Sequence, residues 1–347
     1  MAHSMSRRDV LAGVLAAGGA AAAGALPSIA SPDLVAEATR EGTVAYLSAG
    51  DIALVQKIGK AFEAKYPGIR FQGERIGAER IFQRLDQEYS RGIHNVDVVD
   101  SSDVAHFLVW KQRGWLARHV PDDVARFWPQ SERDPDGMYA TFRASMAIMG
   151  HNTRLVPPDA APRGYADLLD PRWRGRLIKA HPGYSGTVAT QTFLLVREFG
   201  WKYLEELAKQ RVLQVQSATE PPKKLALGER PVMVEGTDYV LFDLQEKGSP
   251  LEAIYPVEGC PLVPIPTGVL DKAPHPNAGR LFRAFLYTRE VQQMLIDVGN
   301  TRSFHPQITE KAGRRPIGQI KLWRADPEQL LAQLEEIRRK YTEIFKV

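Results

Sequence analysis

Short apolar runs alternate along the chain with stretches whose apolar residues recur every three or four positions. The first run, Val44-Ala45-Tyr46-Leu47, ends in Ser48-Ala49-Gly50-Asp51. Ile52, Val55, Ile58 and Phe62 then follow at helical spacing until Tyr66-Pro67-Gly68 stops the helix. Ile69–Phe71 reads as a second strand, Ala78–Tyr89 as a helix with Ile81, Leu85 and Tyr89 on one face, and Val96–Val99 as a third strand. This βαβαβ opening predicts a parallel sheet with helices on its faces.

A second series begins after the proline-rich stretch from Pro157 to Pro162. Leu177–Ala180 is a strand and Ser185–Phe199 a long helix, followed by a strand at Val232–Val234 and a helix at Asp238–Glu246. That is a second α/β lobe. Two apolar segments, Ala144–Gly150 and Leu262–Leu270, lie where the chain must pass between the lobes, so a hinge of two crossings is expected. The predicted division is 42–141 with 263–300 for lobe 1, 142–262 for lobe 2, and 301–347 as a C-terminal helical segment packed on the lobes. Ala278–Tyr287 and Val291–Val298 read as helices. Asp326-Pro327-Glu328 opens a last helix with Leu330, Leu334, Ile337, Tyr341 and Ile344 on one stripe, better suited to packing on its own lobe than to docking a partner.

Length and composition narrow the class. A chain of 347 residues, 44% hydrophobic and 25% charged, suits one large globular domain or two ordinary ones and disfavours disorder or a multi-span membrane protein. Lys and Arg number 45 against 41 Asp and Glu, with the signs interleaved, so no nucleic-acid partner is implied. The single cysteine, Cys260, makes no internal disulfide, and no Cys/His cluster offers a metal site. At the amino terminus Arg7-Arg8 precede an Ala/Gly/Leu/Val run that carries no charge between Asp9 and Asp33. Residues 1–30 therefore read as a twin-arginine export signal, cleaved between Leu26 and Ser31, which directs a folded protein to the periplasm.

Open α/β sheets bind ligands beyond the carboxyl ends of their strands. Three such ends carry small or hydroxyl residues: Ser48, Ala49 and Gly50; Ser101 and Ser102 after Asp100; and Tyr184, Ser185, Gly186 and Thr187 in the second lobe. Free N–H groups at the following helix starts favour an anionic or strongly hydrogen-bonding ligand. Each alone is an ordinary cap, and it is their occurrence in both lobes that points to a cleft. Glu235, Asp238 and Tyr239 follow another strand and are placed in the same cleft to hold hydroxyls, an ammonium or a metal, the alternative being that Asp238 caps a helix and Tyr239 packs. The stretch around Ser185 fails as a nucleophile elbow because Thr187 stands where glycine is needed. Neither a phosphate-binding P-loop nor a Gly-x-Gly-x-x-Gly turn follows a strand, so no catalytic residue, metal or cofactor is assigned.

Several segments, in order, resemble the periplasmic solute-binding proteins of ABC transporters, in the branch of ferric-ion, phosphonate, sugar-phosphate, thiamine and polyamine binders. They are Ala61–Ile69, Val96–Val99, Gly150–Val156, Asp167–Leu177, Ser185-Gly186 and Ala273–Ala278, within a resemblance spanning residues 42–305. The resemblance implies a type II periplasmic-binding-protein fold, a monomer whose two lobes close over a small-molecule solute and then dock on a membrane permease. A sensory receptor is the other docking partner it allows. The ferric branch places adjacent tyrosines in the second lobe. Here that pair falls on Asp238-Tyr239, and Ala49-Gly50-Asp51 lacks the histidine often found in the first lobe. A phosphonate, organophosphate or carboxylate is therefore expected, with ferric ion as the alternative within the family and a periplasmic hydrolase or transferase as the alternative outside it.

Overall fold

The computed structural model describes residues 31–347; the export signal expected over residues 1–30 lies outside them. After α1 (Pro32–Glu41), the segments β1 (Thr43–Ser48), α2 (Ile52–Lys65), β2 (Arg70–Arg75), α3 (Ala78–Ser90) and β3 (Val98–Asp100) form the expected βαβαβ unit, with β1 parallel to both neighbours. Short polar side chains start the helices: Ser31 accepts from Leu34 N, and Asp51 from Ala53 N. α4 (Val104–Gln112), β4 (Leu116–Ala117) and α5 (Asp122–Phe127) follow before β5 (Tyr139–Asn152) leaves for the second lobe.

The second lobe contains β6 (Leu177–Ala180), α6 (Gly186–Phe199), α7 (Trp201–Ala208), β7 (Leu213–Val215), α8 (Glu220–Ala226), β8 (Val232–Thr237), α9 (Asp238–Glu246) and β9 (Leu251–Ile254). β10 (Cys260–Leu270) returns the chain to the first lobe, where α10 (Pro276–Leu286) packs on α1 and β10, and α11 (Arg289–Asp297) contributes Val291 and Leu295 to the same core. β11 (Leu322–Trp323) and α12 (Pro327–Phe345) end the chain. The strand order is β2-β1-β3-β10-β5-β8-β6-β7, so the mixed sheet is continuous through the antiparallel pair β5 and β10. β10 pairs with β3 in one lobe and β5 with β8 in the other, which places the middle of this pair at the boundary between lobes. Tyr46, Phe62, Phe71, Phe282 and Phe285 pack ring against ring in the first core. Leu330, Leu334, Ile337 and Tyr341 of α12 are buried, and that helix packs on α6 and α7 and reaches α4, so the stripe is internal packing.

The hinge has a third member. Between α11 and β11 the chain passes back to the second lobe, and Arg302 bridges Ala144 of β5 through two backbone hydrogen bonds of 2.8 and 2.9 Å. This passage lacks the apolar run that marks the other two, because it is held by charge. Asp238, expected in the cleft, is buried here instead. Its Oδ1 accepts from Ser145 Oγ at 3.1 Å, Met146 N at 3.1 Å and Tyr239 N at 2.9 Å, while Oδ2 faces Arg314 Nη2 at 3.0 Å and Arg302 Nε at 3.5 Å. With two guanidinium partners already in place, its carboxylate is committed to the hinge.

The lobes are in contact at several points. Gly186 sits against Ser102 and Asp103, so that an added Cβ would stand 2.5 Å from Asp103 Cβ and 2.6 Å from Ser102 C. Asp51 pairs with Lys223 at 2.6 Å, Arg75 donates to Ser217 Oγ at 2.8 Å, and Arg338 of α12 pairs with Glu79 of α3. Burial pushes the Asp51 carboxyl up, but the hydrogen bond and charge of Lys223 outweigh it and hold the group below its ordinary range.

Two expectations follow from these contacts. Asp238→Ala strands two buried arginines and should cost about 3–5 kcal/mol in urea unfolding; a loss below about 1 kcal/mol contradicts the account. Gly186→Ala should prop the lobes apart, read as a larger radius of gyration by small-angle scattering with unchanged far-UV circular dichroism. Unchanged scattering would show that this contact does not limit closure. The Asp51–Lys223 contribution to closure is present above the ordinary carboxylate pKa and is lost as pH falls through the lowered value, so scattering should show opening on acidification that Asp51→Asn lacks.

Candidate functional site

A narrow cavity lies between the lobes, over the middle of the β5/β10 pair. Ala49 and Ser102 border it from the first lobe, Arg143, Ser145 and Ile265 from the crossing strands, and Ser185, Thr187, Ser217, Thr219, Thr237 and Tyr239 are among its second-lobe residues. The hydroxyls gather here because the strands of both lobes end at the boundary and hand over to helices, where short polar side chains are favoured.

Five of the residues singled out from the sequence line the cavity: Ala49, Ser102, Ser185, Thr187 and Tyr239. Ser185 stands at the N-cap of α6 without making a side-chain cap bond, and neither its hydroxyl nor that of Thr187 has a partner among the described residues. Asp51 and Asp103, by contrast, do cap their helices. Tyr239 OH accepts from Asp51 N at 3.1 Å, which leaves its proton to donate, and burial raises its pKa so that the phenol keeps that proton. Gly50 lies beside the cavity and leaves room for Arg143: an added Cβ would stand 2.9 Å from Nη2.

The others lie elsewhere. Ser48 Oγ donates to Asp100 at 2.5 Å, and Ser101 Oγ is shared between His106 Nδ1 and Asp103 N at 3.1 Å each, so both stabilise turns behind the cavity wall. Gly186 forms the close contact between lobes, and Tyr184 is 46% exposed with its ring against His181. Glu235, expected in the cleft, is fully buried in the second lobe, with Oε2 2.9 Å from Lys179 Nζ and Oε1 accepting from Ala180 N at 2.6 Å. Burial raises the Glu235 pKa and lowers that of Lys179, the usual outcome for a pair taken out of water. The cavity thus receives neither of the carboxylates assigned to it.

What it receives instead is Arg143, which the sequence pattern of caps and apolar runs does not flag. The residue is 3% exposed, its Nε is buried without a partner, and no carboxylate stands within ion-pair distance of its guanidinium among the described residues. The group lies over the rings of Phe142 and Tyr239, at 5.2 and 5.4 Å. Its position follows from the strand period: Arg143 and Ser145 are two residues apart on β5, and both border the cavity. A signal exists, since Thr141, Arg143 and Ser145 alternate with Phe142, Ala144 and Met146. The crossing segment expected from the apolar run starts at Ala144, one residue too late to include it. Thr237, likewise missed, has a buried Oγ1 without a partner and makes no cap bond at the start of α9.

Charge separates this cavity from the larger hollow between α2 and α9. The lysines there are each engaged: Lys57 with Val298 O at 2.6 Å, Lys223 with Asp51 at 2.6 Å and Lys247 with Asp243 at 2.6 Å. Arg143, among the described residues, has neither an ion pair nor a hydrogen-bond partner of this kind. Among the described residues no group of three His, Cys, Asp or Glu side chains is disposed to hold a metal ion.

Residues 95–319, more than half of the chain, match the family model described as bacterial extracellular solute-binding protein. An uncharacterised protein of Haemophilus influenzae is 26% identical over 273 residues, covering 74% of this chain and 76% of that one. Among solved structures, the periplasmic binding protein AfuA from Actinobacillus pleuropneumoniae, with exogenous fructose-6-phosphate bound, superposes with a TM-score of 0.80 at 19% identity over 88% of this chain and 99% of its own. Iron-bound HitA from Pseudomonas aeruginosa gives 0.74 at 19% identity over 86% and 99%. At these identities the likeness establishes the fold, a two-lobed periplasmic-binding-protein architecture, and both ligand types occur on it. The chain belongs to the bacterial extracellular solute-binding proteins, a family of binding proteins rather than enzymes, which sets aside the hydrolase or transferase alternative.

Proposed function

We propose that this chain is the periplasmic substrate-binding component of an ABC importer, exported by the twin-arginine signal read at residues 1–30, which captures a small anionic solute by hinge closure and delivers it as a monomer to a membrane permease. The lobe boundaries that go with this reading are 42–141 with 263–300 and 142–262, the passage through Arg302 being added to the hinge. Arg143 is the observation that carries the ligand's charge. A buried guanidinium without a carboxylate partner is costly, so a closed cleft around it favours an anion that supplies the missing charge. The hydroxyls of Ser102, Ser185, Thr187 and Thr237 stand ready to donate to the same anion. Ferric ion is disfavoured by a cavity whose charged side chain is a cation and whose lining holds one tyrosine and no carboxylate.

A thermal-shift panel of phosphonates, sugar phosphates, carboxylates, polyamines and ferric citrate tests the reading. A true ligand at 100 times its dissociation constant adds about 2.7 kcal/mol to stability. The anions should give the shifts, whereas a selective response to a polyamine or to ferric citrate would overturn the proposal. For the best anion, Arg143→Met should cost about 1.5–3 kcal/mol of binding, roughly a ten- to hundredfold rise in Kd by titration calorimetry. The ligand-free variant should melt no lower than the parent, because an apolar side chain of similar size replaces a buried unpaired charge. Unchanged affinity would remove Arg143 from the site.

A further inference from the structure

We infer that the second lobe contains a built hydration site, in which ordered water bridges Gln191 of α6 to Tyr165 and to Glu235 of β8, within a polar seam that descends from the cavity floor. The seam holds whichever solute the cleft takes. Its first tier is the pair Thr187 and Thr237, which border the cavity. The second tier follows from the periods of the two elements. Gln191 lies one turn beyond Thr187 on the same face of α6, and Glu235 stands two residues before Thr237 on β8. Because α6 runs away from the cavity and β8 runs towards it, both residues reach a similar depth, about 6 Å below the first tier.

A bulge turns Glu235 into this layer. The pairing of β8 with β5 slips by one residue between Gly236 and Met233, so that Val234 and Glu235 together oppose Met149. Strict alternation would put Glu235 on the face of Met233, where Gly236 meets Pro222 of α8. Instead it reaches Lys179, whose ammonium lies 5.1 Å from the ring of Tyr341 on α12, the helix packed against α6. Gln191, Glu235 and Tyr165 are fully buried. Both amide atoms of Gln191, the Tyr165 hydroxyl, Glu235 Oε2 and Thr237 Oγ1 make no hydrogen bond among the described residues, although Glu235 Oε2 stands 2.9 Å from Lys179 Nζ. Burial pushes the Tyr165 phenol well up, the Cys260 thiol and the Glu235 carboxyl add to the rise, and the Gln191 amide opposes it, so these groups share one neighbourhood. Buried amides and carboxylates are ordinarily satisfied, and an internal water is held by about two to four polar partners. This set supplies them: the amide and the phenol can donate to a water, which can donate in turn to Glu235.

Three measurements on the mature protein test the site. Magnetic relaxation dispersion of the water oxygen counts long-lived internal waters, and Gln191→Leu should lower the count by at least one relative to the parent, with far-UV circular dichroism unchanged. A high-resolution crystal structure of the parent should show water within hydrogen-bond distance of the Gln191 amide and of Tyr165 OH or Glu235 Oε2. Tyr165→Phe, which removes one partner and keeps the ring packing, should lower the melting midpoint by about 2 °C or more. An internal-water count that Gln191→Leu leaves unchanged overturns the inference, as does a crystal structure in which the Gln191 amide pairs directly with Tyr165 or Glu235. A Tyr165→Phe midpoint equal to or above that of the parent marks a dry seam and overturns it too.

Discussion

The carboxylate of Asp238 ties two of the three passages of chain between the lobes, β5 and the segment through Arg302, to the start of α9. It accepts from the backbone of β5 at Met146 and of α9 at Tyr239, and it faces Arg302 and Arg314 of the third passage. Removing any one partner would leave a buried charge or a buried donor unsatisfied, which is why the arrangement is stable only as a complete set. Other partners extend it: Arg302 donates to Tyr255 OH, and the Arg314 guanidinium lies 4.2 Å over the ring of Phe242. The cleft depends on this knot directly. By taking the proton of Ser145 and fixing the start of α9, Asp238 sets which atoms of Ser145, Thr237 and Tyr239 the cavity sees.

Two buried acidic groups are thereby used up in the frame, Asp238 in the hinge and Glu235 against Lys179, while Asp100 is spent on Tyr46, Ser48 and Ala49 at the end of β3. Arg143 receives none of them. A fold shared with sugar-phosphate-bound and iron-bound relatives therefore says little about the ligand here. The two unpartnered buried polar atoms in the cavity wall, Arg143 Nε and Thr237 Oγ1, bear on it more directly.

This division explains what was legible in the sequence. The alternation of apolar runs with helical spacing exposed the βαβαβ opening, the second lobe and two of the three crossings, since each buries one face against a neighbour. α4 left no such trace: it is apolar on more than one side, lying against β10 and α12, and so shows no single stripe. The third crossing was hidden because its anchors are arginines paired with a carboxylate 64 and 76 residues away in sequence. The site divided along the same line. Small hydroxyl residues after apolar runs pointed to the cavity wall, for which local sequence is enough. Whether a buried acid faces the cleft or the frame depends on distant cations, and neither Asp238 nor Glu235 carried a local sign of its partner. Arg143 was legible in principle from strict alternation along β5, but a long apolar run draws attention away from a charge at its start.

On the proposed anion-binding reading, closure and recognition share one electrostatic term. In the open form the cleft admits water, and the guanidinium of Arg143 can be hydrated at little cost. Bringing the lobes together removes that water, and without an anion the closed form carries an unpaired buried charge whose penalty is several kcal/mol. The ion pairs that join the closed lobes, Asp51 with Lys223 and Arg338 with Glu79, are partly exposed and contribute at most a modest amount each. Closure without a ligand is therefore opposed near the cavity and only weakly favoured at its rim. An anion reverses the first term and leaves the second in place, so its binding free energy is also the differential affinity that drives the hinge. A neutral solute of the same shape would make the hydroxyl contacts and leave the charge unpaired. On this argument selectivity for an anion and the coupling of binding to closure are one property of Arg143.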